Sequence, residues 1–369
     1  MTIPADDKAV RRILIFRLGS LGDTLVTLPA LHLIARRYPT AERRVLTNFS
    51  INDKAAPMAA VLDGSDLVHA YFRYPPRTYN ARALFGVIRD IRRWRPDLLI
   101  YLHEPRGTAI AVRDAIFFRA CGIRRMLGVP YANSAKFPLF KPELKRYEHK
   151  SEYLARSVTA LGDSRLSDHA SWDLALSDTE WERGRESLAP LRGCKGILAV
   201  SIGSKIDVKD WGNDNWKALL QMLSARLPDW GLAMIGLPME RDRTESLLPE
   251  WLGRSLNLCG SMTLRECGAA LALSNLYVGH DSGPMHLAAA VGTPCVAIFS
   301  ARNHPGEWFP HGEGHTVFYN QTECFGCDLD DCLQFKKKCI LSIGVNEVAD
   351  AIVGKALNVV REKPNVHSG

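Results

Sequence analysis

The stretch VGHDSGPMHLAAAVGTP, residues 278–294, decides how this chain reads. Asp281 leads into Ser282, Gly283 and Pro284, and His286 follows at the head of a run of small residues. A helix N-terminus carries unpaired backbone N–H groups and a partial positive charge. Proline suits its first position, because the N–H it lacks would have had no partner there. Such an end can hold a phosphate. It can equally be closed by its own cap, with Ser282 or Asp281 accepting from the second or third N–H of the turn. The flanks supply a frame: apolar LYV (276–278) enters and PCVAIF (294–299) leaves, a strand, helix, strand unit. In open α/β sheets ligands bind at the carboxyl ends of strands, where this turn sits.

At 369 residues and 46% hydrophobic the chain can bury a large core, and cores beyond ~250 to 300 residues split into domains. Two domains are expected. No apolar run approaches the ~18 residues that span a bilayer, and MTIPADDKAVRR lacks the apolar stretch of a secretory signal. A soluble, cytoplasmic protein is expected. The formal charge of +7 is uneven: residues 89–150 hold 14 Lys and Arg against 6 Asp and Glu, a surplus of 8. Such a cluster is either a solvated basic face or an attractor of anionic partners, a phosphorylated lipid surface or an acidic substrate. Nucleic acid is not expected, since none of its binding-motif signatures accompanies the charge.

Outward from the opening stretch, the same alternation covers the chain. RRILIFRL (11–18) predicts a buried strand, GSLGD (19–23) a turn, and TLVTLPALHLIARRYP one helix stopped near Pro39. RRVLTNF (43–49) and DLLIYLH (97–103) predict further strands, with a basic helix around residues 80–94 between them. Polar DSRLSDHASWDLA (163–175) reads as the inter-domain connection. Strands are then expected at 196–203, 231–236, 256–260, 275–279 and 294–299, and helices near 214–227, 239–249, 263–273 and 284–291. VNEVADAIVGKAL (345–357) is a closing amphipathic helix. This is an α/β chain of two similar halves with parallel sheets.

The turn LGSLGD lacks the GxGxxG of a dinucleotide fold, which disfavours a nicotinamide-dependent oxidoreductase. It does put Asp23 at the head of a helix, where a carboxylate is stabilised by the macrodipole whether or not it has any further task. In SIGSKIDVKDWGNDNW, Lys205 and Lys209 follow a strand and either can neutralise a phosphate. Trp211 can anchor the loop beside Lys209, which favours that lysine.

Together RILIFRLGSLGDTLVTLPAL, the GS…KDW loop, GSMTLRECGAAL, VGHDSGPMHLAAAVGTPCVAIF and EWFP span nearly the whole chain. In that order they resemble the family 9 glycosyltransferases, best represented by the ADP-heptose:lipopolysaccharide heptosyltransferases. The resemblance implies a GT-B fold, two Rossmann-like domains facing across a cleft. Residues 1–170 would bind the acceptor, and 171–369 the nucleotide-sugar donor. It implies inverting transfer, with Asp23 as base and Lys209 as ligand of the donor diphosphate. Asp281 would contact the donor sugar, with Ser204, Met262, Ser282, Gly283 and His286 also on the donor side. Gly19, Ser20 and Gly22 would form the acceptor-side loop. The implied acceptor is an anionic glycolipid at the inner face of the cytoplasmic membrane, approached peripherally, and transfer would require no cofactor. Departure of a nucleoside diphosphate builds charge that a lysine and a helix N-terminus can stabilise. For Asp23 the helix end favours the charged form, so a role as base would rest on positioning and desolvation.

ECFGCDLDDCLQFKKKC holds Cys324, Cys327, Cys332 and Cys339, four of the nine cysteines. Without an export signal, such thiols point to metal or to reduced side chains. Four soft ligands suffice for a structural zinc or iron, with Lys336 to Lys338 offsetting the thiolate charge; a reduced, metal-free loop is the alternative. Similar relatives, the autotransporter heptosyltransferases among them, carry iron. Asp328 and Asp330 spell the Asp-x-Asp of a metal-dependent transferase but lie far from the nucleotide segments. FSARNHPGEWFP replaces the glycine, proline and threonine more usual after the last strand, which leaves the sugar open. A protein acceptor, or a nucleotide-sugar-binding module without catalysis, stays open beside the lipid acceptor.

Overall fold

The computed structural model describes residues 10–49, 56–75, 81–104, 106–131 and 138–362, with side chains described to residue 358. The chain divides into two compact units, Met1–Ala175 and Leu176–Gly369.

In the first unit β1 (Arg12–Phe16) is buried but for its first residue, because it lies in the middle of its sheet with a neighbour on each side. It is followed by α1 (Leu21–Leu25), α2 (Leu28–Arg37), β2 (Glu42–Asn48), α3 (Ala59–Leu62), β3 (Ala70–Tyr74), α4 (Ala81–Trp94), β4 (Leu98–Tyr101), α5 (Thr108–Ala120) and β5 (Met126–Leu127). A small hairpin of β6 (Phe140–Lys141) and β7 (Arg146–Tyr147) and the helix α6 (Lys150–Ser157) follow. The sheet order is β3-β2-β1-β4-β5, and all of its pairings are parallel. The single helix expected from residue 24 is instead α1 and α2. Pro29 enters the first turn of α2, and proline restricts the residue before it and leaves no N–H for a continuing ladder. Thr24 and Thr27 bridge the break by donating to the carbonyls of Ser20 (2.9 Å) and Asp23 (2.7 Å).

The second unit runs α7 (Asp178–Leu188), β8 (Gly196–Ser201), α8 (Asn213–Arg226), β9 (Trp230–Met234), α9 (Arg241–Glu245), β10 (Ser255–Asn257) and α10 (Leu264–Leu273). It continues through β11 (Leu276–His280), α11 (Gly283–Ala290), β12 (Cys295–Phe299), β13 (Thr316–Tyr319), α12 (Lys338–Leu341) and α13 (Val345–Glu362). Its parallel sheet has the order β10-β9-β8-β11-β12-β13. The helix expected near 239–249 is reduced to α9 between two short 3-10 turns, Pro238–Glu240 and Leu248–Glu250, each opened by a proline. The core joins strand residues Leu198, Val200, Val278 and Ile298 to Trp216 and Leu220 of α8 and Ile352 of α13.

Both sheets therefore have the Rossmann order, first three strands to one side and the later ones to the other. The order reverses between β1 and β4 in one unit and between β8 and β11 in the other. Among the described residues no helix is long and apolar enough to cross a membrane.

Candidate active site

At the switch point of the second unit the loops leaving β8 and β11 meet. The loop after β8 turns once as a short 3-10 helix, Asp207–Lys209, and aims Lys209 across it. Lys209 Nζ lies 2.6 Å from Asp281 Oδ2. His286 Nε2 stands 3.8 Å from the other carboxylate oxygen. Burial alone would raise the Asp281 carboxyl; the ammonium of Lys209 and the His286 ring outweigh it and lower the group to about 2. The ion pair is thus held in a largely dry place, with Asp281 buried and Lys209 partly reachable from solvent.

The residues around Lys209 explain why it points there. Trp211 is fully buried, donates its indole N–H to the Ile343 carbonyl (3.2 Å) and packs edge-on against Trp216. Its backbone N–H donates to His280 Nε2 at 3.0 Å. The other ring nitrogen of His280 faces the Gly203 carbonyl at 3.3 Å and donates to it. Complete burial pushes this imidazole down to about 4, so it stays neutral and ties β11 to both ends of the loop. Asp210 pairs with Arg243 through both oxygens (2.7 and 3.0 Å) and caps the Gly212 N–H at 2.9 Å. Its carboxyl is lowered although burial opposes this, because the guanidinium and the capped N–H favour the charged form. In KDW, then, two side chains hold the loop and one is presented.

The helix that follows Asp281 is left open. Ser282 occupies the N-cap position of α11 but makes no side-chain cap. Its hydroxyl is buried and has no hydrogen-bond partner among the described residues. The acid beside it is spent on Lys209. Asp281 is directed to Lys209 and Ser282 makes no cap, so no side chain closes the positive end of this helix. Gly283 and Pro284 open this helix, with Pro284 in its first turn. Ser204 stands in the same loop as Lys209 and donates to the Ile206 carbonyl at 2.7 Å, while Lys205 is exposed. Met262 is partly buried against the cluster of Leu188, Leu191, Ala233 and Ala270, just ahead of α10.

In the first unit the turn after β1 brings Gly19, Ser20, Gly22 and Asp23 together. Gly19 has φ +146, and a Cβ there would overlap the Asp23 side chain, so the close approach requires glycine. Its N–H donates to Asn48 Oδ1 at 2.7 Å. Ser20 is the N-cap of α1, and its N–H donates to Asp23 Oδ2 at 2.8 Å. The other oxygen of Asp23 pairs with Arg17 Nη2 at 3.2 Å. Arg17 is buried and donates as well to the carbonyls of Asp23 (3.0 Å) and Leu102 (3.1 Å). His103 stacks on Phe16, and burial together with Arg17 and Arg106 lowers its ring to about 4. Asp23 is therefore cap, ion-pair partner and partly exposed carboxylate at once, with its side chain 25% accessible. Oδ2 also accepts from the Ser20 hydroxyl at 3.4 Å, and Oδ1, paired with Arg17, keeps a second lone pair for a hydroxyl donor.

Arg17, Asn48, His280 and Arg243 were not evident in the sequence. A signal existed for Arg17, a charged residue closing an apolar strand run, since arginine is almost never buried without partners. Among the described residues no three His, Cys, Asp or Glu side chains are grouped to hold a metal ion, and all four cysteines are free thiols. Cys324 faces the Thr322 hydroxyl at 3.5 Å, whereas Cys339 is buried on α12 and its thiol is raised, chiefly by that burial and further by Cys324 and Cys332. Asp328 and Asp330 both pair with Arg302, at 2.9 and 3.1 Å, and are not ligands of a donor site.

Two doubly wound units, each with its charged residues gathered where the strand order reverses, make the pair of Rossmann-like domains of a GT-B fold. The chain belongs to glycosyltransferase family 9 (heptosyltransferase), whose model matches residues 111–337. It is 23% identical over 297 residues to lipopolysaccharide heptosyltransferase 3 of Escherichia coli, a match covering 77% of this chain and 82% of that protein. Among solved structures it resembles a family 9 glycosyl transferase from Veillonella parvula DSM 2008, with a TM-score of 0.74 at 17% identity over 97% of this chain and all of the other. It also resembles the E. coli ADP-heptose lps heptosyltransferase II, with a TM-score of 0.64 at 16% identity over 94% and 99% of the two chains.

Proposed function

We propose that this enzyme transfers heptose from ADP-heptose, with inversion, to a lipopolysaccharide-type glycolipid. The observation that carries the donor half is the open N-terminus of α11 beside the Lys209–Asp281 pair. An anion entering there meets the uncapped positive end of α11, the Ser282 hydroxyl and the Lys209 ammonium, which is how a leaving diphosphate is stabilised. The acceptor hydroxyl attacks the anomeric carbon while the bond from that carbon to the diphosphate oxygen breaks. The hydroxyl proton passes to Asp23, and the electron pair leaves with the nucleoside diphosphate, whose charge Lys209 and α11 take up. Attack opposite the leaving group inverts the centre. Asp281 holds Lys209 in place before the donor arrives and faces the donor sugar afterwards, with His286, Ser204 and Met262 on the same side. No cofactor enters these steps.

For the acceptor, α4 and α5 offer a support. Ile91 and Trp94 of α4 share one hydrophobic cluster with Phe118 of α5, and Arg92 donates to the Ala120 carbonyl at 3.3 Å. Their outer faces interleave exposed Phe85, Val112 and Ile116 with Arg82, Arg89, Arg93, Arg113 and Arg119. Apolar anchors among arginines suit an anionic lipid surface, so peripheral association with the inner face of the cytoplasmic membrane is part of the proposal.

The test combines purified enzyme, ADP-heptose and lipopolysaccharide from a strain lacking the gene, with transfer followed by mass spectrometry. A mass gain of one heptose on the lipid is expected. An unchanged core sugar pattern in the deletion strain would remove the lipid acceptor and favour a protein acceptor. Binding of donor with neither transfer nor hydrolysis would reduce the protein to a nucleotide-sugar-binding module.

A further inference from the structure

The cysteine-bearing segment, with no metal ligand set to account for it, makes contacts that converge on one place. Lys337 Nζ lies 3.1 Å from Asp207 Oδ1, 3.4 Å from the Asp207 carbonyl and 3.3 Å from the Asp210 carbonyl. Those two carbonyls bracket Lys209. The Val208 N–H donates to the Asp330 carbonyl at 3.2 Å, so the segment grips the same turn a second time. The segment is itself fixed to the loop after β12: Arg302 donates to the carbonyls of Leu329 (2.8 Å) and Asp328 (2.9 Å) and to Asp330 Oδ1 (3.1 Å). The Asp328 N–H returns a bond to the Arg302 carbonyl at 2.9 Å. Lys336 and Lys337 both have left-handed backbones, with φ 45 and 58. Two such residues in succession are disfavoured without glycine and persist only where the surroundings hold them.

From these contacts we propose that Lys337 is a positioning residue for Lys209, and that residues 328–337 are a brace running from the β12 loop to the donor loop. Lys209 lies in a single 3-10 turn, too short to fix its own main chain. One side of that turn is held by Trp211 and Asp210. The other side, at Asp207 and Val208, is held by the brace. A charge on Lys337 shared among two carbonyls and a carboxylate sets where the Lys209 backbone starts, and so where its ammonium arrives. Asp328 and Asp330 work through this geometry as handles for Arg302, and the cysteines are the fabric of the segment.

The inference rests on the donor reading for its functional consequence, so the test has two arms. In Lys337→Met, amide exchange of peptides covering residues 206–211 is expected to quicken by about tenfold or more, the opening of a locally held turn. ADP affinity and transfer are expected to fall about 10-fold, with Lys337→Arg restoring most of both. In a Lys209→Met background the further change Lys337→Met is expected to cost no additional ADP affinity, because it acts through the missing group. Unaltered exchange in Lys337→Met overturns the brace. An equal further loss in the Lys209→Met background overturns its action through Lys209. If wild-type protein bound no ADP, the donor reading would fall, while the exchange arm would still decide whether Lys337 holds the turn.

Discussion

Lys209→Met separates a phosphate ligand from a mere counter-ion. The change keeps the stem and removes the charge 2.6 Å from Asp281 Oδ2. The Asp281 carboxyl, 3.8 as a free group, is lowered to about 2 in the fold although its burial pushes the other way. A folded value below the unfolded one stabilises the native state above the unfolded value. At neutral pH that difference is on the order of 2 kcal/mol. Most of it should vanish in Lys209→Met, because the carboxylate is left buried with His286 alone. The variant is therefore expected to melt roughly 4 to 12 °C lower. Transfer should fall by about 100- to 1,000-fold in kcat, the scale for removing one charge-stabilising donor. The double variant Lys209→Met, Asp281→Asn removes the stranded charge as well, so its stability should largely return while its transfer should not. Thermal unfolding and steady-state transfer on one set of preparations decide the matter. Lys209→Met within about twofold of wild type, ~0.4 kcal/mol of barrier, refutes the phosphate contact. So does recovery of transfer in the double variant, which would mean that Lys209 only neutralises Asp281.

Asp23→Asn should keep an acceptor for the Ser20 N–H, since the amide oxygen can stand where the carboxylate oxygen stood, and leave donor affinity nearly intact while transfer drops by roughly 100-fold; near wild-type transfer would leave Asp23 as a helix-end acceptor alone. Gly19→Ala places a Cβ on the Asp23 side chain at a φ of +146. It should lower both stability, by about 1 to 3 kcal/mol, and transfer, with unchanged melting counting against the close approach. Stability should fall off between about pH 4 and pH 2 as the Asp281 carboxyl protonates in the fold, and that acid step should be absent in Asp281→Asn; its persistence would assign the step to other groups. Protein purified without a histidine tag should carry about one equivalent of zinc or iron by elemental analysis if the four thiols form a structural site, and less than about a tenth of an equivalent would make them a reduced loop.

The strands that carry the sites were legible because central strands of a parallel sheet are buried on both faces and read as unbroken apolar runs, as RILIF and LYVGH do. Edge strands lack that mark. β3, AYFRY, is only partly buried along its length, and β13, TVFY, likewise, so neither stood out. α7 was missed for a related reason: DTEWERGRESL buries only Gly184 and Leu188, and its one local signal was the capping box of Ser177 and Glu180. Within the candidate site, glycines and charged residues in turns after strands marked segments that lie where the strand order of each sheet reverses. What the sequence could not give was partner choice. Arg17 finds Asp23 six residues on, but His280 reaches Gly203 and Trp211, and Arg243 reaches Asp210, through folding alone. The cysteine spacing left metal and reduced loop both open, because closeness along the chain does not by itself fix whether side chains point at one centre.

Two acids stand at helix mouths in this protein, and the structure uses them in opposite ways. Asp23 sits at the third position of α1 and closes it, accepting from the Ser20 N–H, with Arg17 taking up its second oxygen. A helix end already occupied by a carboxylate repels a second anion, so α1 is a poor seat for a diphosphate. Asp281 precedes α11, turns away to Lys209, and leaves that end without a side-chain cap. The electrostatics thus divide the labour: the open N-terminus, with a lysine beside it, suits the leaving group, and the closed one suits an oriented carboxylate waiting for a proton. Exchanging the two roles would demand an anion at an end filled by Asp23 and a base, Asp281, that is buried against Lys209, whereas the Asp23 carboxylate is partly exposed. Neither is chemically favourable, and this asymmetry supports the proposal that the donor binds the second unit and the acceptor hydroxyl meets the first.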